Sequence, residues 1–379
     1  MYVAFFIAAI AGVIMFHEFG HFATAKLFGM KAEKFFLGFG PTLWSFRRGE
    51  TEYGVKALPF GGFVKIAGMN RYEDADPADA GRLFYEQPAW QRVIVLVTGS
   101  LTHFVVAVAL LFGALAFIGP PTGEVTTTVR EVVPDSPADQ AGLRSGDVVL
   151  ALDGERVADW TAAQEAIRTL GGETADLLVR RDGGERTLSV AIAAQTPDGQ
   201  SRGYLGVMPT PVVERYGVAK AARETISGDL SYAWLTRSTL GGLADVFSPA
   251  SLGRFFSSAT SDEPRTAEDG GITSLVGAGQ AVNTFGRSGD IFTVLVLLAS
   301  LNIVLGTLNL LPLPPLDGGH VAVLAIEEGV NGVRRSRGVR ERFHLDPAVV
   351  TPVALAVILF FGVLSFTAIY LDITNPIQF

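Results

Sequence analysis

Four stretches of the chain carry almost no charge for about twenty residues or more, and polar segments of very different length separate them. They run over residues 2–28, 92–118, 291–311 and 350–371. Each approaches or exceeds the ~20 apolar residues an α-helix needs to cross a bilayer, so four spanning helices are predicted. Gly119-Pro120-Pro121 stops the second, and Pro312, Pro314 and Pro315 stop the third. Between the first two, apolar runs flank Arg47-Arg48-Gly49-Glu50 and continue through Phe60-Gly61-Gly62-Phe63, the pattern of short β-hairpins. Polarity rises over residues 122–209, which read as an α+β domain. There Ser136 is placed to cap a short helix, Val148–Leu152 reads as a strand and Trp160–Leu170 as a helix. Leu177–Arg181 and Arg186–Ala193 form a hairpin about Asp182-Gly183-Gly184. Residues 210–290 hold helix-like stretches at Ala219–Ser238 and Ser274–Asn283, with Ser257–Gly271 polar and loop-like; amphipathic helices lying on a membrane face fit them.

The fold class that follows is a polytopic α-helical membrane protein of about four spans, with a β-hairpin region and an inserted α+β domain. Its expected segments are residues 1–30, 31–91, 92–118, 122–209, 210–290, 291–320, 321–349 and 350–371. Basic residues set the orientation. Lys31, Lys34, Arg47, Arg48, Lys56, Lys65, Arg71, Arg82 and Arg92 lie between spans one and two, and Arg334, Arg335, Arg337, Arg340 and Arg342 between spans three and four. Both loops are expected in the cytoplasm, with both termini and residues 119–290 outside. The first apolar run has no basic flank before it, so it is not a typical secretory signal.

Composition agrees with this reading and narrows the chemistry. A mean hydropathy of +0.34 with 18% charged residues fits an integral membrane protein with some soluble mass. The net charge of −8, with no basic run interleaved with aromatics, gives no nucleic-acid signature. There is no cysteine, so disulfides and thiolate ligands are excluded and a metal must be held by His and carboxylate.

The first span contains such donors, in His17-Glu18-Phe19-Gly20-His21. On a helix this spacing puts two imidazoles on one face, where they can hold one Zn²⁺, with the glutamate beside them as general base for a metal-bound water. Ionisable groups inside a spanning helix are costly and mark function. At the end of span three stands Asn309-Leu310-Leu311-Pro312-Leu313-Pro314-Pro315-Leu316-Asp317-Gly318, where a broken helix supplies a carboxylate at matching depth. Taken alone, Asp317 reads better as a helix-end or turn residue before Gly318-Gly319.

The two motifs together resemble the bacterial site-2 protease family of intramembrane zinc metalloproteases, in particular members with a PDZ domain between spans two and three. Gly38-Phe39-Gly40-Pro41, Gly271-Ile272 and Gly279-Gln280 share the resemblance, and residues 47–54 look like actinobacterial members. The resemblance implies Zn²⁺ held by His17, His21 and Asp317, with Glu18 as catalytic base. It implies that Asn309 orients substrate or donates to the developing oxyanion, and that the hairpin region is a re-entrant β-loop near the site. The domain at 122–209 is then a PDZ domain that screens substrates or recognises a chain end. Substrates are single-span membrane proteins, anti-sigma factors or remnant signal peptides, cut in regulated intramembrane proteolysis after an upstream site-1 protease. The place is the bacterial inner membrane, in contact with its lipid. One departure is His103, where the family's Gly-x-x-x-Asn pattern has asparagine; it is expected to position substrate, to sit near the metal, or to bond another helix. His320 is a weaker alternative ligand. Two other readings compete: a non-catalytic membrane adaptor, opposed by the intact glutamate, and an ion transporter, opposed by the absence of visible internal repeats.

Overall fold

The computed structural model describes residues 2–69, 76–196, 199–260, 265 and 272–377; Arg71, Gly271 and most of the stretch 257–271 lie outside these. Two compact units emerge: Met1–Gly113, Ala222–Thr284 and Thr293–Phe379 form one, and Ala114–Ala221 with Phe285–Phe292 the other.

The first unit opens with α1 (Tyr2–Leu27), apolar on all sides, which is how a helix in hydrocarbon reads. The strands β1 (Ala32–Arg48) and β2 (Thr51–Ile66) follow, then α2 (Ala89–Gly113), prolonged by a π-helical turn to Ile118. The strands are long and bend, so that Phe36 has cross-strand partners on both sides, Phe63 on one and Gly54 on the other. The sheet packs along the second half of α1. Phe22 of α1 packs tilted against Phe35 and edge-on against Tyr53, at centroid distances of 5.3 and 5.9 Å. Leu43, Trp44 and Phe46 nonetheless stay exposed.

A charge cluster ties the hairpin to the end of α1. Glu50, in the turn, accepts from Arg82 through both guanidinium nitrogens (2.7 and 2.8 Å) and pairs with Lys26 of α1. The Arg82 hydrogen bond, helped by Lys26, lowers the Glu50 carboxyl from 4.5 to about 2. A depressed carboxylate stabilises the fold above its ordinary pKa, and that stabilisation is lost as pH falls from 4.5 towards 2. Glu50→Gln is therefore expected to lower the melting temperature at pH 7, read from intrinsic tryptophan fluorescence. The gap from wild type should close over that acid window, and a gap independent of pH would assign the loss to packing instead.

The second unit is built on β3 (Pro121–Val132), α3 (Pro137–Gln140), β4 (Val148–Leu152), β5 (Glu155–Arg156), α4 (Trp160–Thr169), β6 (Thr174–Arg181), β7 (Gly184–Ala191), β8 (Ala193–Gln195), β9 (Ser201–Tyr204) and β10 (Val207–Val213). Strand order in its main sheet is β10-β3-β4-β6-β7, with β5 on β4. Trp160 and Ile167 of α4 pack on Leu177 and Val179 of β6 to form its core. Ser136 caps α3 through Asp139 N. Arg181 forks onto buried Asp147 at 2.7 and 2.6 Å; burial pushes that carboxyl up, but the guanidinium and the Arg144 amide outweigh it and hold it low.

Helices α5 (Val218–Ser227), α6 (Tyr232–Val246), α7 (Pro249–Ser258) and α8 (Leu275–Arg287) come next. The helix-like run Ala219–Ser238 is thus two helices, because Gly228-Asp229-Leu230 interrupts it and Ser231 caps the second. Helices α9 (Ile291–Asn309), α10 (Asp317–Ser336) and α11 (Pro347–Thr374) complete the chain. Asp372 of α11 accepts from Ser274 N, Ser274 Oγ and Gly277 N, so the end of one apolar helix caps the start of α8. Among the described residues, α1, α2 with its extension, α9 and α11 are long and apolar enough to cross a membrane.

Candidate active site

Helices α1 and α2 approach closely where glycine faces glycine. A Cβ on Gly20 would meet Thr98 O and Thr102 Cγ2 at 2.8 Å, and one on Gly99 would collide with the His21 imidazole. This contact buries His21 against α2. Its Nδ1 lies 2.7 Å from Val95 O; a carbonyl only accepts, so Nδ1 carries the proton and Nε2 presents a lone pair. Helical spacing brings His17 alongside, with the two Nε2 atoms 3.1 Å apart.

The chain turns after α9, through Pro312-Leu313-Pro314-Pro315, and Asp317 opens α10 rather than closing span three. Its Oδ2 sits 3.4 Å from each Nε2. These three residues are the group of metal-competent donors found among the described residues. A tetrahedral Zn²⁺ with bonds of about 2.0–2.1 Å spaces its ligand atoms about 3.3 Å apart, so two imidazole nitrogens and one carboxylate oxygen at these separations fit that ion. Ser100 of α2, fully buried, donates to Asp317 Oδ2 at 2.9 Å.

Val95 and Ser100 belong to this site by position, and motif reading did not find them. Partners that orient metal ligands are worth roughly 10–100-fold in affinity. Ser100→Ala is expected to weaken zinc binding by about that factor in a competition titration with a chromogenic chelator. Unchanged affinity would reduce Ser100 to a packing role.

Glu18 faces the sheet. Its Oε2 accepts from Val64 N at 2.9 Å, at the edge formed by Gly62–Ile66. His103 lies deep in α2, its ring centroid 5.1 Å from that of His17. Its Nδ1 is 3.2 Å from Asn302 Oδ1, while Asn302 Nδ2 donates to Leu298 O. Asn309 ends α9, half-buried, and its side chain makes no hydrogen bond among the described residues. His320 is exposed and stands apart from the three donors; it lines a cavity of about 240 Å³ with Arg92, Glu327 and His344.

Four apolar helices of spanning length, two imidazoles and a carboxylate converging between them, and a glutamate beside the imidazoles define the class: a membrane protein with the donor set of a metalloprotease. Residues 5–344 match peptidase family M50, and the chain belongs to that family, the site-2 proteases. It is 35% identical to zinc metalloprotease Rip1 of Mycobacterium tuberculosis, over 99% of this chain and 98% of that protein. Rip1 of Mycolicibacterium smegmatis is 33% identical over the same shares. Zinc metalloprotease RasP of Geobacillus kaustophilus is 27% identical over 85% of this chain and 88% of its own. Among solved structures, the PDZ domain of an SdrC-like protein from Listeria monocytogenes aligns at 18% identity, covering 24% of this chain and 93% of that one, with a TM-score of 0.20. The chain is a zinc metalloprotease, and Zn²⁺ is its cofactor.

Proposed function

We propose that this chain cuts a peptide bond inside the membrane span of single-span proteins, anti-sigma factors or remnant signal peptides, after a site-1 protease has trimmed them. The observation that carries the reading is the place of two of the three donors, His17 and His21, within a helix of spanning length. His17 lies nine residues before Lys26, the basic residue of the last turn, about 14 Å along the axis. Whatever reacts there is buried in the bilayer.

His17, His21 and Asp317 would hold the metal. Bound Zn²⁺ supplies Lewis-acid polarisation of a carbonyl and lowers the pKa of water. Glu18 accepts the proton of the attacking water and delivers it to the departing amine. Asn309, its amide uncommitted, donates to the developing oxyanion. His103, with Nδ1 committed to Asn302, offers Nε2 to a substrate amide.

A helical peptide bond is shielded by its own hydrogen bonds and must be unwound first. The Gly62–Ile66 edge is suited to take the unwound strand by β-addition, because its main chain already meets Glu18. The exposed Leu43, Trp44 and Phe46 support a re-entrant sheet, since their sheet packs on α1 through Phe35 and Tyr53 and lipid would cover apolar side chains left bare there. The basic residues of loops 31–91 and 321–349 support a reading with these elements on the cytoplasmic side of the bacterial inner membrane. The second unit, outside, we read as a PDZ domain that screens chain ends. Among the described residues β10 ends the sheet order, and Trp160, Ile167, Arg168 and Tyr204 line a hollow of about 210 Å³ with Val207 of that strand.

Co-reconstitution of the chain with a single-span reporter in proteoliposomes tests the proposal. Mass spectrometry should find fragments ending within the span, absent after chelation and restored by zinc. Fragments ending only outside the span would sink it.

A further inference from the structure

Helix α10 leaves the metal-competent site carrying two unlike faces. Leu324 and Asn331 are buried, 5% and 6% exposed. On the opposite side Ile326, Val330 and Val333 are 51%, 37% and 51% exposed, at i, i+4 and i+7, an uninterrupted apolar stripe. The stripe runs into arginines. Arg334 and Arg335 reach Glu341 and Glu328 at 3.6 and 3.7 Å. Arg337, Arg340 and Arg342 are exposed and make no ion pair among the described residues.

The loop that carries the last arginines is pinned. Asn331 Nδ2 donates to Phe343 O at 3.0 Å, and Phe343 N donates back to Asn331 Oδ1 at 2.6 Å. Leu345 N donates to Glu327 Oε1 at 3.0 Å. A side-chain amide thus pairs with the loop backbone as a neighbouring strand would, and holds Arg340 and Arg342 at the C-terminal end of α10.

We infer that α10 and residues 337–346 form an anionic-lipid-binding element. The stripe lies in the acyl boundary and the arginines take lipid phosphate, for which their forked donors are suited. Bilayer is favoured over nucleic acid or an acidic protein on two grounds. Residues 317–346 are tethered between two apolar helices of spanning length, α9 ending at Asn309 and α11 starting at Pro347, so the ligand is already at hand. An exposed Ile-Val-Val stripe beside unpaired arginines also serves no purpose on a phosphate backbone, whereas it is the composition of an interfacial helix. Because α10 begins at Asp317, the lipid contact would anchor the helix that carries one of the metal-competent donors.

Hydrogen exchange of the intact chain in nanodiscs decides this without reference to proteolysis. Exchange across residues 326–345 is expected to slow several-fold when phosphatidylglycerol is added to phosphatidylcholine. Salt should reduce the protection, and R337Q/R340Q/R342Q should abolish it while zinc content stays at the wild-type level. Equal exchange in both lipids overturns the proposal. So does protection that survives the triple variant, or protection that appears only with an added acidic protein.

Discussion

Asp317→Ala should strip the purified chain of most of its zinc. The wild type is expected to hold about one zinc per chain, the number that a single His-His-carboxylate cluster accommodates. Without Asp317 only His17 and His21 remain, two neutral donors on one helix, and the negative charge facing them is gone. Removing a partner of a ligand costs roughly 10–100-fold, so removing a ligand should exceed about 100-fold. The fold should tolerate the change. Asp317 sits at the start of α10, where alanine is acceptable, and its recorded side-chain contacts are to Ser100, His17 and His21. Metal analysis beside a melting curve separates the two effects. Full zinc in the variant would break the three-donor assignment, and His103 and His320 would then be the next candidates.

The architecture was legible in unequal parts. Hydrocarbon demands about twenty apolar residues and tolerates few charges, so the four spanning helices stand out from composition alone. His17 and His21 stand out because an i, i+4 pair needs no tertiary information to share a face. Asp317 was reached only through the second motif, and the structure shows why pattern alone was weak there. The residue begins a new helix after a proline turn, so no single periodicity connects it with α1. Val95 and Ser100 left no trace in sequence. Their roles depend on the close approach of α1 to α2 across Gly20 and Gly99, and on pairings 74 and 217 residues apart. The same holds for Glu18 and Val64, because the sheet edge that meets the glutamate is set by the bends of β1 and β2. Between Ala219 and Ser238 the apolar spacing carried through a Gly-Asp-Leu break that local turn chemistry should have flagged. The paired apolar stripe and arginines of α10 were visible as residues, but which face was left uncovered was not.

Glu18→Gln is expected to abolish cleavage while leaving zinc in place. The substitution keeps the shape of the side chain and an amide oxygen that can still accept from Val64 N, so the contact with the sheet edge survives. It leaves His17, His21 and Asp317 untouched, so metal content should match the wild type. What it removes is the capacity to take a proton. General base catalysis contributes roughly a hundred- to ten-thousand-fold, and here the same carboxylate would also return the proton to the amine, so the loss should lie at or beyond the upper end. Turnover of a span-bearing reporter and zinc per chain, measured on one preparation, give two independent readings. Retained turnover would remove Glu18 from the chemistry. Lost zinc would make it part of the metal's support, and the inactive protein would then say nothing about a base. Only the combination of full zinc and no cleavage separates the residue that moves the proton from the residues that hold the ion.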